Sequence, residues 1–369
     1  MRYLPTFLLL MTSITTRAAD AGYYVYAGTY TGHGSRGIYL WQFDPGTGKA
    51  EEIGLAGETE NPSFLAIHPS GKYVYAVNET DKGTVTAFSI DAATGRLKKL
   101  NAASTEGSSP CHLSVDRSGR SVAVANYGSG NVVLIRINTD GSLGGVVSRD
   151  QHTGTGADKE RQDGPHAHSI NFTPDGGFSV AADLGTDSLY VYRFDASKPQ
   201  ITRDDHLTVK TAPGAGPRHF AFHPNGKYGY AINEMGSTVT AYSYDGKGVL
   251  TTLGSLSTLP KDFHGENTTA EVVVHPNGRT LYGSNRGHDS IAVFSIDPAT
   301  GKLTSRGQVP TQGKEPRNFA LDPSGQYLFA ENQNSNNIVI FRVASDGSFK
   351  PTGQILSCVS PVCVRFVQR

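Results

Sequence analysis

Four side chains scattered along the chain, His168, Arg218, Glu234 and Arg286, carry the groups that hydrolysis of an anionic ester requires. Arginines grip anionic oxygens and stabilise the oxyanion of a tetrahedral intermediate. A histidine or carboxylate beside them can act as general base on water. His166, Glu79, Tyr127, Arg317 and Gln333 are candidates to bind the substrate around that group. A plainer role is open for part of the set, because Arg218 and Glu234 also suit an inter-strand ion pair. His166 and His168 lie two residues apart, but no third ligand follows at a suitable spacing, so no metal site is expected. No GxSxG elbow, P-loop or dinucleotide fingerprint stands out, which argues against a Ser-His-Asp hydrolase and against a bound cofactor.

These residues can meet only if the fold brings distant segments together, and an internal repeat supplies the means. A small or polar start, an apolar run, a glycine turn, a second apolar run and a short polar residue recur in order. The copies begin at Pro62 (PSFLAIHPSGKYVYAVNE), Pro110 (PCHLSVDRSGRSVAVANY), Pro165 (PHAHSINFTPDGGFSVAADL) and Pro217 (PRHFAFHPNGKYGYAINE). Two more begin at Thr269 (TAEVVVHPNGRTLYGSNR) and Pro316 (PRNFALDPSGQYLFAENQ). A seventh is split between the tail from Pro361 and the strand-like YYVYAGTY from Tyr23. A spacing of roughly 45–55 residues with period-2 alternation is the mark of a propeller blade. The expected fold is therefore all-β: one seven-bladed β-propeller over residues 22–369, with N-terminal strands completing the C-terminal blade. Gly71, Gly119, Gly176, Gly226, Gly278 and Gly325 are expected in the tight hairpins between the first two strands.

The repeats also act as an internal control for function. Thr29, Asn78, Asn126, Asp183, Asn233, Asn285 and Asn332 occupy one position in short polar form and should bond adjacent loop backbone. His68, His223 and His275 precede the hairpin turns and read as turn caps, not metal ligands. The next ring varies: Tyr30, Glu79, Tyr127, Leu184, Glu234, Arg286 and Gln333. So does the start of the innermost strand: Ser63, Cys111, His168, Arg218, Ala270 and Arg317. Simple hairpin counting sets Arg218 opposite Asn233 and His168 opposite Asp183, so both rings fall at one mouth of the channel. The long connection over residues 144–164, with Lys159, Glu160, Arg161 and Gln162, enters at the same mouth and is a candidate lid.

The rest of the composition sets limits. Lys+Arg and Asp+Glu are 33 each, so no basic surface for nucleic acid is expected. Residues 1–21 begin with Met1 and Arg2, continue through an apolar stretch and end in Ala18, Ala19 and Ala21, the pattern of a cleaved secretory signal. No later stretch is long and apolar enough to span a membrane, so an exported protein, acting as a monomer, is expected. Export would permit Cys358 and Cys363 to pair and leave Cys111 free; three buried thiols are the alternative.

Beyond the blade pattern, specific segments carry a resemblance. AGTYT at residues 27–31, SPCHLSVDRSGR at 109–120 and ERQDGPHAHSINFTPDG at 160–176 are three of them. GPRHFAFHPNGKYGYAINE at 216–234 and GENTTAEVVVHPNGRTLYGSNRGHDSI at 265–291 are the others. Through them the chain resembles the 6-phosphogluconolactonase (lactonase) seven-bladed propeller family, which includes a fungal carboxymuconate cyclase type. The resemblance implies hydrolysis of a small-molecule lactone or acidic sugar. It also implies His, Arg, Glu and Arg site residues at His168 (or His166), Arg218, Glu234 and Arg286. A phosphorylated sugar lactone is a cytoplasmic metabolite, whereas this chain carries an export-like leader. A non-catalytic binding propeller and a lactone-forming cycloisomerase are the competing readings.

Overall fold

The computed structural model describes residues 22–369; the leader-like segment and its cleavage position lie outside them. Seven antiparallel sheets form the blades, and no α-helix occurs among the described residues. The innermost strands are Leu65–Ile67, Pro110–Val115, Ala167–Phe172, Pro217–Phe222, Thr268–Val274, Pro316–Leu321 and Pro361–Gln368. The last of these pairs antiparallel with Tyr23–Thr29, Tyr26 opposite Arg365, so one blade draws its strands from both ends of the chain.

The turns explain why each repeat folds locally. In the fifth blade Gly226 takes φ 69, a left-handed conformation that a side chain would strain, and its N–H donates to His223 O. His223 Nδ1 accepts from Asn225 N at 3.1 Å, and Nε2–H donates to Gly278 O of the following blade at 2.7 Å. His275 repeats this toward Gly325 O, and His68 toward Gly119 O. These histidines cap their own turn and clip it to the next one. Buried tyrosines do the same farther out: Tyr26, Tyr75, Tyr230 and Tyr282 donate to the carbonyls of Gly95, Gly141, Gly301 and Gly347. The expected short polar ring also bonds loop backbone, for example Asn126 Nδ2 to Thr105 O and Asn285 Nδ2 to Thr258 O.

Apolar faces of neighbouring blades pack against one another. Where the two chain ends meet, Phe329 is fully buried between Phe43 and Phe366, each ring centroid 5.1 Å away. Phe329→Ala is expected to cost about 3–5 kcal/mol, because it removes a fully buried ring from the cluster that joins three strands and leaves a cavity there. Denaturant unfolding of the two proteins measures this. The three cysteines are free and buried: Cys363 Sγ accepts from Leu65 N, while Cys358 packs in a different apolar cluster. Cys358 and Cys363 are therefore not paired.

Register corrects one expectation. Pro217, not Arg218, lies opposite Asn233, and the next pair is His219 with Ile232. Ala167 likewise lies opposite Asp183, followed by Ser169 with Ala182. Arg218 and His168 are thus the extra residues of β-bulges, and Cys111 and Arg317 occupy the same place in their blades. The cause is local. Ser109, Gly216 and Glu315 have positive φ and each precedes the proline that starts the strand. That turn brings in one more residue than the partner strand can pair, and a bulge re-aims the extra side chain.

Candidate active site

The bulges aim Cys111, His168, Arg218 and Arg317 toward one end of the channel, where they meet the residues that follow the second strands. A cavity of about 320 Å³ opens there, lined by Glu79, Tyr127, His168, Glu234, Arg286 and Arg317, with Cys111, Arg161 and Thr268.

Glu234 is the centre of the charge arrangement. Its side chain is 7% exposed. Oε2 accepts from Arg218 Nε at 3.0 Å and lies 2.8 Å from Arg286 NH2, while Oε1 accepts from Arg161 NH2 at 2.8 Å. Burial alone would raise its pKa, but Arg286, Arg218 and Arg161 outweigh burial and hold it down to about 2. It is an ionised but weakly basic carboxylate.

Arg218 is buried behind Glu234. NH1 donates to Ala270 O at 2.8 Å and contacts His219 Nε2 at 3.2 Å. Burial, with Arg286 and Arg317 nearby, lowers its pKa to about 10, so it remains a cation at neutral pH. It forms the inter-strand ion pair with Glu234 that was the plainer of the two expectations for it. Arg286 also donates to Thr269 O at 2.9 Å, leaves Nε without a partner, and has Glu315 at 3.7 Å. Arg317 differs from both. Its guanidinium lies 5.4 Å from the Tyr30 ring centroid and, among the described residues, its side chain forms no hydrogen bond or ion pair.

His168 is buried, with Nε2 4.0 Å from Glu234 Oε2 and Nδ1 3.5 Å from Cys111 Sγ. Burial first, then Arg218, His219 and Arg317, push its pKa well below the ordinary histidine range, so the imidazole is neutral. Burial also raises the Cys111 thiol, which stays protonated and donates to His168 O at 3.3 Å. Sγ lies 3.5 Å from Nδ1, so the tautomer with its proton on Nδ1 has Sγ as acceptor. The lone pair then sits on Nε2, facing the cavity and Glu234.

Other candidates fall in several places. Glu79 lines the cavity but is engaged by Tyr30 OH at 2.8 Å and by Ser63 Oγ. Tyr127 lines it too, and His166 stacks on Tyr127 at 4.5 Å, one step back from the cavity. Gln333 is not brought to the site: it starts a 3-10 turn, Gln333–Ser335, and does not line the cavity. Part of the candidate lid is strand, Leu143–Gln151; only the residues beyond it arch over the site. His152 anchors the start of that arch on Asp183 and Tyr192, each at 2.6 Å. Gln162 Nε2 anchors the end on Leu184 O at 2.7 Å and Asp187 Oδ1 at 2.8 Å. Arg161 between them is the lid residue that enters the charge cluster.

Three residues that the sequence reading did not single out form the layer below. Arg218 can only donate, so His219 Nε2 accepts, and His219 Nδ1–H donates to Glu271 Oε1 at 3.1 Å. Glu271 also accepts from Val272 N and from Asn318 Nδ2. The signal was present one position farther along each copy, where His112, His219, Glu271 and Asn318 break an otherwise mixed series. Among the described residues, no cluster of three or more His, Cys, Asp or Glu is placed to hold a metal ion, and no helix is long and apolar enough to cross a membrane.

Comparison with known proteins agrees with this architecture. The family model described as a lactonase, 7-bladed beta-propeller, matches residues 24–366. A 6-phosphogluconolactonase of Bacillus subtilis is 39% identical over 354 residues, covering 94% of this chain and 99% of that protein. One from Formosa agariphila is also 39% identical, covering 83% and 88%. Among solved structures, a periplasmic gluconolactonase from Pseudomonas aeruginosa aligns with TM-score 0.88 at 32% identity, covering 94% of this chain and 99% of that one.

Proposed function

The chain belongs to the seven-bladed β-propeller lactonase family, and from that premise we propose that it hydrolyses a sugar-acid lactone with a water activated between His168 and Glu234. The observation that carries this reading is the 4.0 Å separation of His168 Nε2 and Glu234 Oε2. Two acceptors at that distance can be bridged by one water that donates an O–H to each. Glu234 is too weak a base to take the proton, being held at about 2 by three guanidiniums. Neutral His168 takes it.

The steps balance as follows. The water oxygen attacks the lactone carbonyl carbon while one of its protons passes to His168 Nε2. Negative charge develops on the carbonyl oxygen, where Arg317 is the available donor. Glu234 stabilises the imidazolium. Collapse breaks the ring C–O bond, and the departing alkoxide recovers the proton from His168. The product is the open hydroxy acid. Arg161, at the rim, suits the acidic or phosphorylated end of the substrate. Export fits both the leader-like segment and the description of the Pseudomonas relative as periplasmic.

The test uses protein recovered from the periplasm or medium, whose N-terminus should fall between Ala18 and Gly22. It is assayed with glucono-δ-lactone and with its 6-phosphate, and the product is weighed. Hydrolysis adds one water to the mass, whereas cycloisomerisation adds nothing. Arg317→Met should lower kcat/KM by about 10²–10³-fold, the usual effect of removing one oxyanion donor. A wild-type rate equal to buffer would overturn the hydrolase reading and leave a binding propeller in its place.

A further inference from the structure

The opposite mouth of the channel holds a second cavity, of about 620 Å³, within the range of small-molecule sites. Its walls are mostly apolar, with Phe172, Phe222, Phe319 and Phe366 among them. Phe64, His112, His219 and Glu271 form part of its floor. The same layer closes it off from the active site, since the gap around Phe64, His219 and Asn318 is only about 10 Å³, room for about one water.

The polar groups at this floor sort by what their neighbours have already used. Glu271 is fully engaged: Oε1 accepts from His219 and Val272 N, Oε2 from Asn318. His112 is 5% exposed, and its Nδ1 accepts from Ile170 N at 3.3 Å. A backbone N–H can only donate, so neutral His112 carries its proton on Nε2, and that N–H has no partner among the described residues. Arg365 donates Nε to Leu65 O at 3.0 Å and NH1 to Val364 O at 2.7 Å, which leaves NH2 without a hydrogen-bond partner among the described residues. The two groups flank one ring: the Arg365 guanidinium is 4.5 Å from the Phe64 centroid and the His112 ring 4.3 Å. Asn171, on the wall, has a buried Nδ2 without a partner.

What remains available at the floor is therefore donors and one cation, inside an apolar funnel. We propose that this cavity is a second ligand site, which takes a small monocarboxylate with an aromatic or branched apolar body. The carboxylate accepts from Arg365 NH2, and the apolar body fills the phenylalanine-lined mouth. The site stands apart from the lactone chemistry, because neither Arg365 nor His112 lines the active-site cavity.

Calorimetric titration of the whole protein with phenylacetate and with its neutral isostere phenylacetamide tests the proposal without any substitution. Phenylacetate should bind at one site, and phenylacetamide about tenfold or more weakly, as expected for loss of a charge-assisted pair. Arg365→Met should weaken phenylacetate by a similar factor, whereas Arg317→Met should leave it unchanged. Glucono-δ-lactone turnover by the wild type should not change at saturating phenylacetate. Equal affinity for acid and amide, absence of binding, or loss of binding in Arg317→Met but not in Arg365→Met would each overturn it. The last result would place the carboxylate in the active site.

Discussion

Glu234→Gln is expected to reduce lactone turnover by about 10³-fold or more and to destabilise the protein by about 3–5 kcal/mol. Both effects follow from one carboxylate serving three cations. Arg161, Arg218 and Arg286 all point N–H groups at it, and two of the three are buried. Glutamine is nearly the same shape but brings no charge. Its amide nitrogen would face at least one guanidinium donor to donor. Removing one partner of a buried ion cluster leaves the others without compensation, which is why the stability cost exceeds that of a surface pair. Catalysis suffers separately, since the bridging water loses an acceptor and the imidazolium formed on His168 loses its counter-charge. The two effects separate experimentally by measuring kcat per folded molecule at a temperature well below the variant's melting point. Near-normal kcat in a folded Glu234→Gln protein would remove Glu234 from the mechanism and leave it a structural counterion.

Much of this arrangement was legible because the blade repeats itself. Six copies of one hairpin place the turn glycines and the polar ring, and any position that varies with charge stands out against that background. His168, Arg218, Glu234 and Arg286 came forward in this way, and the fold does bring them together. The directions of the side chains were not legible. Hairpin counting assumes one residue opposite one, but a left-handed residue followed by proline feeds an extra residue into the strand at Cys111, Arg218 and Arg317. The resulting bulges decide which side chains face the mouth, and they bring His219 and Glu271 in beneath. Position in a ring likewise could not distinguish Arg218, which is engaged by Glu234 and Ala270 O, from Arg317, whose guanidinium faces the Tyr30 ring and forms no hydrogen bond or ion pair among the described residues. Gln333 follows its second strand in a tight turn as Tyr127 and Glu234 do, yet of the three only Tyr127 and Glu234 line the cavity, a difference that position in the ring did not show. Arg161 lies in a connection with no counterpart in the other copies, so the repeat comparison had nothing to weigh it against.

His168→Gln is expected to lower kcat by about 10²–10⁴-fold with little change in KM or in stability. Glutamine can still fill the space and hydrogen bond, but it cannot take a proton from water and return it to the leaving alkoxide. The pH dependence makes the assignment specific. The histidine must be neutral to act as base, and burial together with Arg218, His219 and Arg317 holds its pKa well below 6.5. Wild-type kcat/KM should therefore stay level as pH falls from neutral through 6.5 and decline only in more acidic solution, where His168 becomes protonated. A base with an ordinary or raised histidine pKa would give a limb of the same sign at higher pH, with activity already falling as pH approaches 6.5 from above. In His168→Gln the residual rate should lose this acid limb. A limb centred at or above 6.5, or one that survives in the variant unchanged, would mean that another group takes the proton. Glu234 would not then be the alternative, because its carboxylate, at about 2, would place the limb far lower still. The pH profile thus tells apart two groups that are only 4.0 Å apart and whose substitutions alone would both lower turnover sharply.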